Sequence, residues 1–278
     1  MIRLIQIELI KLKNSRASKI LISVYFILLT SISLVAAIKF DIGPVKFHLA
    51  DQGIFNFPFI WHFNTFFASI FKLFLLLVIV SMITNEYSNR TLKQNLIDGL
   101  SKKEFILSKF YLVILLAAMS TLFVFVISLV LGMIYSDYNE MSIIFSDLEF
   151  LLAFFVKLVG FFSFGLFLGM LIKRSAFAIG AMFVWLFTEG IIHGLLQWKL
   201  GHKSEFVSEI TQFLPLTAMS NLINQPFARL KAVKSLANQV GENIDYDYAV
   251  HWYEIAIVLM WTFIFVFLSY RLLQKRDL

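Results

Sequence analysis

Six long apolar stretches run along the chain, and polar segments separate them. They cover residues 20–38, 63–84, 111–134, 150–172, 175–198 and 252–270. A membrane-spanning helix needs roughly 20 mostly apolar residues, because each residue rises about 1.5 Å and the hydrocarbon core is about 30 Å thick. The pattern therefore predicts an all-α membrane protein with six transmembrane helices in one domain, residues 1–278.

The composition agrees with a lipid environment. Of the 278 residues, 59% are hydrophobic and 15% are charged, and the mean hydropathy is +0.81. A soluble domain usually has about 25% charged residues. Cysteine is absent, which excludes disulfides, thiolate metal sites and a cysteine nucleophile.

The basic residues predict the orientation of these spans, since Lys and Arg collect in cytoplasmic loops. Of the 24 Lys and Arg residues, 15 lie on the side that holds both chain ends, and seven lie in the loops of the other side. Both termini are therefore predicted to be cytoplasmic. Because the basic residues alternate with apolar stretches, orientation explains the net charge of +6 better than nucleic acid does.

The first 19 residues carry a helical pattern of their own. Ile2, Ile5, Leu9 and Leu12 recur at helical spacing between basic and polar residues. The pattern predicts an amphipathic helix at the inner membrane interface. A simple continuation of the first span is the alternative.

The polar loop 85–110, before the third span, is longer than a simple connection needs. Leu92 and Leu96 belong to an apolar stripe, Asp98 and Gly99 form a break, and Ser101 with Glu104 has the spacing of a capping box. Two short helices separated by a turn are predicted, and their amphipathic surfaces indicate a docking site.

The last outer loop, residues 199–251, contains a helically spaced apolar pattern at Phe206, Ile210, Phe213 and Leu214. Glu205 and Glu209 make this segment too polar to cross a membrane, and prolines interrupt it. We expect short helices on or in the outer leaflet.

Lys72, Lys157, Glu189 and His193 are ionisable residues in the interior of predicted spans. A charge at the bilayer centre costs roughly 3 kcal/mol. Lys157 and Glu189 have similar predicted depths on consecutive antiparallel helices. They could form a structural ion pair, Lys157 could reach the outer headgroups, or the charges could line a translocation path. Glu189 and His193 alone do not predict a metal site.

Two pairs of small residues have the spacing that favours close helix packing, Gly165 with Gly169 and Gly190 with Gly194. Packing within the chain is the first interpretation, and use at a dimer interface is the second.

The loop that begins at Asn85 is similar to the first cytoplasmic loop of ABC type-2 permeases. The resemblance lies in an acidic residue, Glu86, then Arg90-Thr91-Leu92, a short amphipathic helix, Ser101-Lys102-Lys103 and a sequence leading to Lys109. It extends over the whole chain, through the six predicted spans and the long outer loop to the basic tail. One departure is Arg90, because many relatives have glycine before the threonine.

The resemblance implies the membrane subunit of an ATP-driven exporter in the plasma membrane, which would be a bacterial inner membrane. It implies a homodimer or heterodimer of permeases bound to two copies of a separate ABC ATP-binding subunit. Glu86, Arg90, Thr91, Leu92 and Leu96 would form or brace the contact with that subunit. ATP and Mg²⁺ would be bound by the partner, since no Gly-rich loop ending in Gly-Lys-Ser/Thr occurs here. No cofactor and no enzymatic activity are expected in this chain.

Two other classes of protein stay open. An ion-coupled secondary transporter would favour buried acids and inverted repeats, but Glu189 is the only acid that the sequence predicts to be buried, and no repeat is evident. An integral membrane enzyme would need acids, histidines or metal ligands that converge near one interface. The sequence does not identify a substrate.

Overall fold

The computed structural model describes residues 2–37, 39–42, 45–48, 53–138, 140–200, 205–230, 233, 235 and 247–276. Its α-helices are α1 (Ile2–Asn14), α2 (Arg16–Ala37), α3 (Phe59–Ile70), α4 (Lys72–Ser88), α5 (Thr91–Ile97), α6 (Lys102–Tyr135), α7 (Met141–Ile144), α8 (Glu149–Ile172), α9 (Ser175–Leu200), α10 (Glu205–Thr211), α11 (Pro215–Asn221) and α12 (Trp252–Gln274). A 3₁₀ helix covers Phe227–Arg229. The predicted helical fold is confirmed, except for an antiparallel hairpin of β1 (Lys39–Ile42) and β2 (Val45–His48).

Within the described residues, four helical segments are long and apolar enough to cross a membrane: α6, α7 with α8, α9 and α12. The pair of α3 and α4 provides a fifth span if the two helices are taken together. α2 has 22 residues and covers the predicted first span, whose last residue, Ile38, lies outside the described residues. The structure therefore supports several spans, and the number six stays a prediction.

The predicted second span is interrupted at Phe71, where the axes of α3 and α4 differ by 45°. The Phe71 amide donates to the Ala68 carbonyl at 3.2 Å, and the Phe74 amide donates to Phe71 at 3.1 Å. These bonds join residues three apart, so the regular α-helical ladder is broken here. The predicted second span therefore consists of two helices that meet at a bend. Neither proline nor glycine marks the break in the sequence.

α8 forms the centre of the bundle, and α12, α4, α6 and α9 surround it. Most of its residues are buried. A Cβ atom at Gly165 would collide with Leu76 of α4, and one at Gly160 would collide with Val258 of α12. Both glycines therefore let neighbouring helices approach α8 closely, as the spacing of Gly165 and Gly169 predicts.

Both described chain ends lie at the same end of the bundle. The Lys102 ammonium donates to the Arg276 carbonyl at 2.9 Å, and the Arg276 guanidinium donates to the Met170 carbonyl at 2.6 Å. This arrangement agrees with the predicted location of both termini on one side. We refer to this end, with α1 and α5, as the cytoplasmic end.

α1 is separate from α2, because Ser15 interrupts the helix. The location of α1 at the membrane interface stays a prediction. The buried face of α1 carries Leu12 and the acidic residue Glu8, whereas Leu9 of the predicted apolar stripe is exposed. The carboxylate of Glu8 therefore lies on the side of α1 that packs against the other helices, which the apolar pattern did not predict.

The outer loop contains the predicted short helices, α10 and α11, at the opposite end of the bundle. α10 packs on α9, and α11 packs on α8, α9 and α12. Phe206, Ile210 and Phe213 are exposed, and Val207 is buried. The apolar spacing therefore marks a surface of this segment that faces away from the rest of the chain.

Candidate functional site

The loop between α4 and α6 turns sharply at Arg90. This residue has a φ of 58° and a ψ of 12°, in the left-handed region that glycine occupies without steric cost. α5 follows at once and ends before Gly99, which has a φ of 97°. The local chain path therefore needs a left-handed residue at position 90.

The start of α6 has the predicted capping box. The Ser101 hydroxyl accepts from the Glu104 amide at 3.1 Å, and the Glu104 carboxylate accepts from the Ser101 amide at 2.9 Å. The second predicted short helix is the first part of α6, which has 34 residues. At about 1.5 Å per residue such a helix is roughly 50 Å long, so it extends beyond the hydrocarbon core.

The predicted coupling residues differ in their exposure. Leu92 is only 2% exposed and Glu86 is also buried, so neither can contact a partner directly. Arg90 is exposed, and Thr91 and Leu96 are partly buried. Ile97, at the end of α5, is 74% exposed. Arg90 and Ile97 therefore belong to the exposed surface of this loop, and Glu86 and Leu92 lie in the protein interior beneath it.

Glu86 belongs to a buried cluster of charges that joins three helices. The Lys109 ammonium of α6 pairs with Glu86 of α4 and, at 2.7 Å, with Glu8 of α1. Lys11 of α1 contacts Glu86 at 2.8 Å and Glu8 at 3.1 Å. The Ser108 hydroxyl is 3.4 Å from Glu8. Two ammonium groups and two carboxylates thus compensate each other at the base of α5.

The electrostatics of α1 show that this cluster favours the ionised forms. Burial alone would raise the pKa of Glu8, but attraction and hydrogen bonds from Lys109 and Lys11 lower that pKa overall. Burial would lower the pKa of Lys11, and attraction to Glu8 and Glu86 raises it. Both residues are therefore held in the charged state, and α1 is fixed to the loop and to α6.

Glu189, on α9, interacts with the outer helix α11 rather than with Lys157. Its carboxylate accepts from the amides of Leu216 at 3.0 Å and Thr217 at 2.8 Å, and from the Trp185 indole at 2.8 Å. Free amides at the start of a helix are satisfied well by a carboxylate. The ion pair between Lys157 and Glu189 is not formed in the described part of the chain.

Lys157 and Lys72 line a common cavity of about 380 Å³. The Lys157 ammonium donates to the Ser220 carbonyl at 3.3 Å. The Lys72 ammonium lies 4.4 Å from the centre of the Phe161 ring, which is a cation–π distance. The structure therefore brings together two of the four predicted intramembrane residues, and the two have the same charge.

The described neighbours of His193 are polar, but they do not form a metal site with it. Its Nδ1 atom is 3.3 Å from the Thr211 hydroxyl, and its Nε2 atom is 3.0 Å from the Gln197 amide. Within the described ranges, no group of three or more His, Asp or Glu residues could hold a metal ion. His193 connects α9 to α10 instead.

Sequence reasoning missed two sets of interacting residues. The first set contains Glu8 and Lys109 of the cytoplasmic charge cluster. In the sequence they lie in polar segments, and no local pattern indicates that they interact. At the outer end, Arg229 donates to Nδ1 of His62 at 3.2 Å, and His62 Nε2 lies 2.7 Å from the Asn224 carbonyl. Because arginine only donates, Nδ1 accepts and the Nε2 proton is donated to Asn224. The sequence signal for this second set was His62, which lies at the edge of an apolar stretch.

The fold defines a helical membrane protein with several spans, and comparison with known families identifies its class. The sequence model of the ABC-2 family transporter proteins matches residues 10–278, so the chain belongs to this family. It is thus the membrane permease component of an ABC transporter, and membership implies association with an ABC ATP-binding subunit. A comparison with curated proteins finds no match.

Proposed function

We propose that this chain is the permease of an ATP-driven exporter that acts as a dimer in a bacterial plasma membrane. Two copies of a separate ATP-binding subunit would dock at the cytoplasmic end and bind ATP and Mg²⁺. The chain itself would catalyse no reaction. The observation that carries this proposal is an exposed apolar residue, Ile97, on a short helix whose base is fixed by buried charges.

The charge cluster supports a mechanical role for α5. A force on α5 reaches α4 through Arg90 and reaches α1 and α6 through Glu86, because Lys109 and Lys11 contact this carboxylate. α4 and α6 continue into the membrane and both pack on α8. Closure of the ATP-binding subunits would therefore tilt several helices together instead of bending one loop.

Co-purification with the ATP-binding subunit tests this proposal. Burial of an isoleucine side chain is worth about 1.5–3 kcal/mol, so Ile97→Asp should weaken the complex at least about ten-fold. Met141→Asp is the matched control. Met141 is 73% exposed like Ile97, but it lies on α7, beyond the end of α6 that is far from α5. The control should bind the ATP-binding subunit like the unmodified chain.

Transport assays separate this proposal from its alternatives. Export by the reconstituted complex should require ATP and should fall with the Ile97→Asp variant. Transport by the isolated chain in an ion gradient would favour an ion-coupled secondary transporter and contradict the exporter mechanism. A covalent change in the transported compound would favour an integral membrane enzyme.

A further inference from the structure

The cavity at the break between α3 and α4 combines an apolar wall with two basic groups. Its volume of about 380 Å³ lies within the usual range of small-molecule sites, roughly 300–1,000 Å³. Lys72 and Lys157 are the charged residues of its wall. The apolar part of the wall includes Phe66, Ile70, Phe161, Met182, Leu186 and Leu216.

Lys72 and Lys157 have no acidic partner in the part of the chain that the structure describes. A lysine ammonium has three N–H donors. Lys157 is only 3% exposed and uses one donor for the Ser220 carbonyl, and Lys72 faces the Phe161 ring. Donors remain on both groups, and the side chain of Lys157 is buried.

Glu189, the acid at the predicted depth of Lys157, is engaged elsewhere. Glu189 directs both carboxylate oxygens to the start of α11, where Leu216 and Thr217 donate to them. Two like charges in an apolar cavity disfavour each other and lose hydration. A bound anion would compensate the charge and accept the remaining hydrogen bonds, whereas a bound cation would add a third positive charge.

We infer that this cavity binds an amphiphile with an anionic headgroup. The headgroup lies between Lys72 and Lys157, and the apolar body lies along the wall that contains Phe161 and Leu186. This inference names the substrate class and rests on the proposed function for its role in transport. An anionic membrane lipid and a dispersed anionic amphiphile share this chemistry.

Direct binding to the full chain tests this inference without the ATP-binding subunit. The chain is placed in phosphatidylcholine nanodiscs and titrated with radiolabelled dodecyl phosphate or dodecyltrimethylammonium, which have equal chain lengths. Dodecyl phosphate should bind at least about ten-fold more tightly than the cation. Equal affinity for the two probes would overturn the inference.

Substitutions then assign the binding to the two lysines. The Lys72→Met/Lys157→Met variant keeps the apolar volume and should lose about ten-fold or more in affinity for dodecyl phosphate. Arginine at both positions should keep the affinity within about three-fold. Lys173→Met, beyond the far end of α8, is the control and should bind normally. If the double methionine variant does not assemble, Lys72→Met alone should show a smaller loss; unchanged binding in it overturns the inference.

Two further measurements identify the source of the ligand and separate the two proposals. Displacement of dodecyl phosphate by phosphatidylglycerol in the nanodisc would identify a membrane lipid as the ligand, and retention would identify a dispersed amphiphile. With the ATP-binding subunit present, dodecyl phosphate should stimulate ATP hydrolysis by the complex of the unmodified chain and not by that of the Lys72→Met/Lys157→Met variant. Specific binding without any co-purifying ATPase would support the site and contradict the proposed function.

Discussion

Lys109 of α6 forms a buried ion pair with Glu86 of α4, and so connects the two helices that flank the cytoplasmic loop. Glu8 of α1 shares the same ammonium at 2.7 Å. One lysine thus holds two carboxylates that are far apart in the sequence. Its removal would leave buried negative charge that Lys11 alone cannot neutralise.

Lys109→Met should therefore lower the free energy of unfolding by about 3–5 kcal/mol, the usual cost of removing one partner of a buried ion pair. Denaturant or thermal unfolding in detergent measures this change. Lys103→Met, at an exposed position of the same helix, should change stability by less than about 0.5 kcal/mol. Equal effects of the two variants would show that the cluster contributes little.

Acid should release α1. The folded-state pKa of Glu8 is below its ordinary value, so its stabilising contribution is complete above the ordinary carboxyl range. The contribution is lost as the pH falls through the lowered pKa. The melting temperature of the unmodified chain should exceed that of Glu8→Gln at pH 7, and this difference should shrink in acid. A constant difference down to about pH 3 would contradict the ionised state of Glu8.

Alkali acts on the same helix through Lys11. Its pKa is raised above the ordinary lysine value, so its contribution is complete below that value and is lost as the pH rises through the raised pKa. Lys11→Met should therefore lower the melting temperature across the neutral range. The effect should disappear only at strongly alkaline pH, and its disappearance near pH 8 would contradict the contacts with Glu8 and Glu86.

Glycine at position 90 should be tolerated or stabilising. Arg90 adopts a left-handed conformation that costs a side chain about 1 kcal/mol, and glycine removes this cost. Arg90→Gly should therefore raise the free energy of unfolding by up to about 1 kcal/mol, measured by denaturant unfolding. Arg90→Val is the informative comparison, because a β-branched residue is disfavoured at positive φ and should destabilise the loop.

Glu189 and Lys157 should behave independently. Glu189→Gln replaces a charged acceptor of two backbone amides, and it should cost about 1.5–3 kcal/mol of stability. The same loss should occur in a Lys157→Met background, within about 0.5 kcal/mol, since the two residues share no contact. A coupling energy well above this value in the double-mutant cycle would instead indicate that Glu189 and Lys157 form an ion pair.

The glycine pairs should differ in their sensitivity to alanine. A Cβ atom at Gly165 collides with Leu76, so Gly165→Ala should destabilise the chain by about 1–3 kcal/mol. Gly190 has open space around it, and Gly190→Ala should be neutral or stabilising in the isolated chain. If Gly190→Ala instead weakens self-association in a cross-linking assay, a second copy packs against α9 at this position.

Local features of the chain were predictable from sequence. Apolar stretches of span length predicted the long helices, a basic amphipathic pattern predicted α1, and Ser101 with Glu104 predicted the start of α6. Each of these depends on neighbours within a few residues, where helical periodicity and capping act. The family resemblance of the loop at Asn85 was confirmed by the family match over residues 10–278.

Interactions between distant residues were decided only by the tertiary structure. Glu8 meets Lys109 across 101 positions, and Glu189 reaches the start of α11 instead of the lysine at its own predicted depth. The break at Phe71 has no proline or glycine signal, and Ile70 and Lys72 on its two sides line the cavity. Periodicity fixes which residues share a face of one helix, but helix rotation and packing determine which charged groups meet inside the bundle.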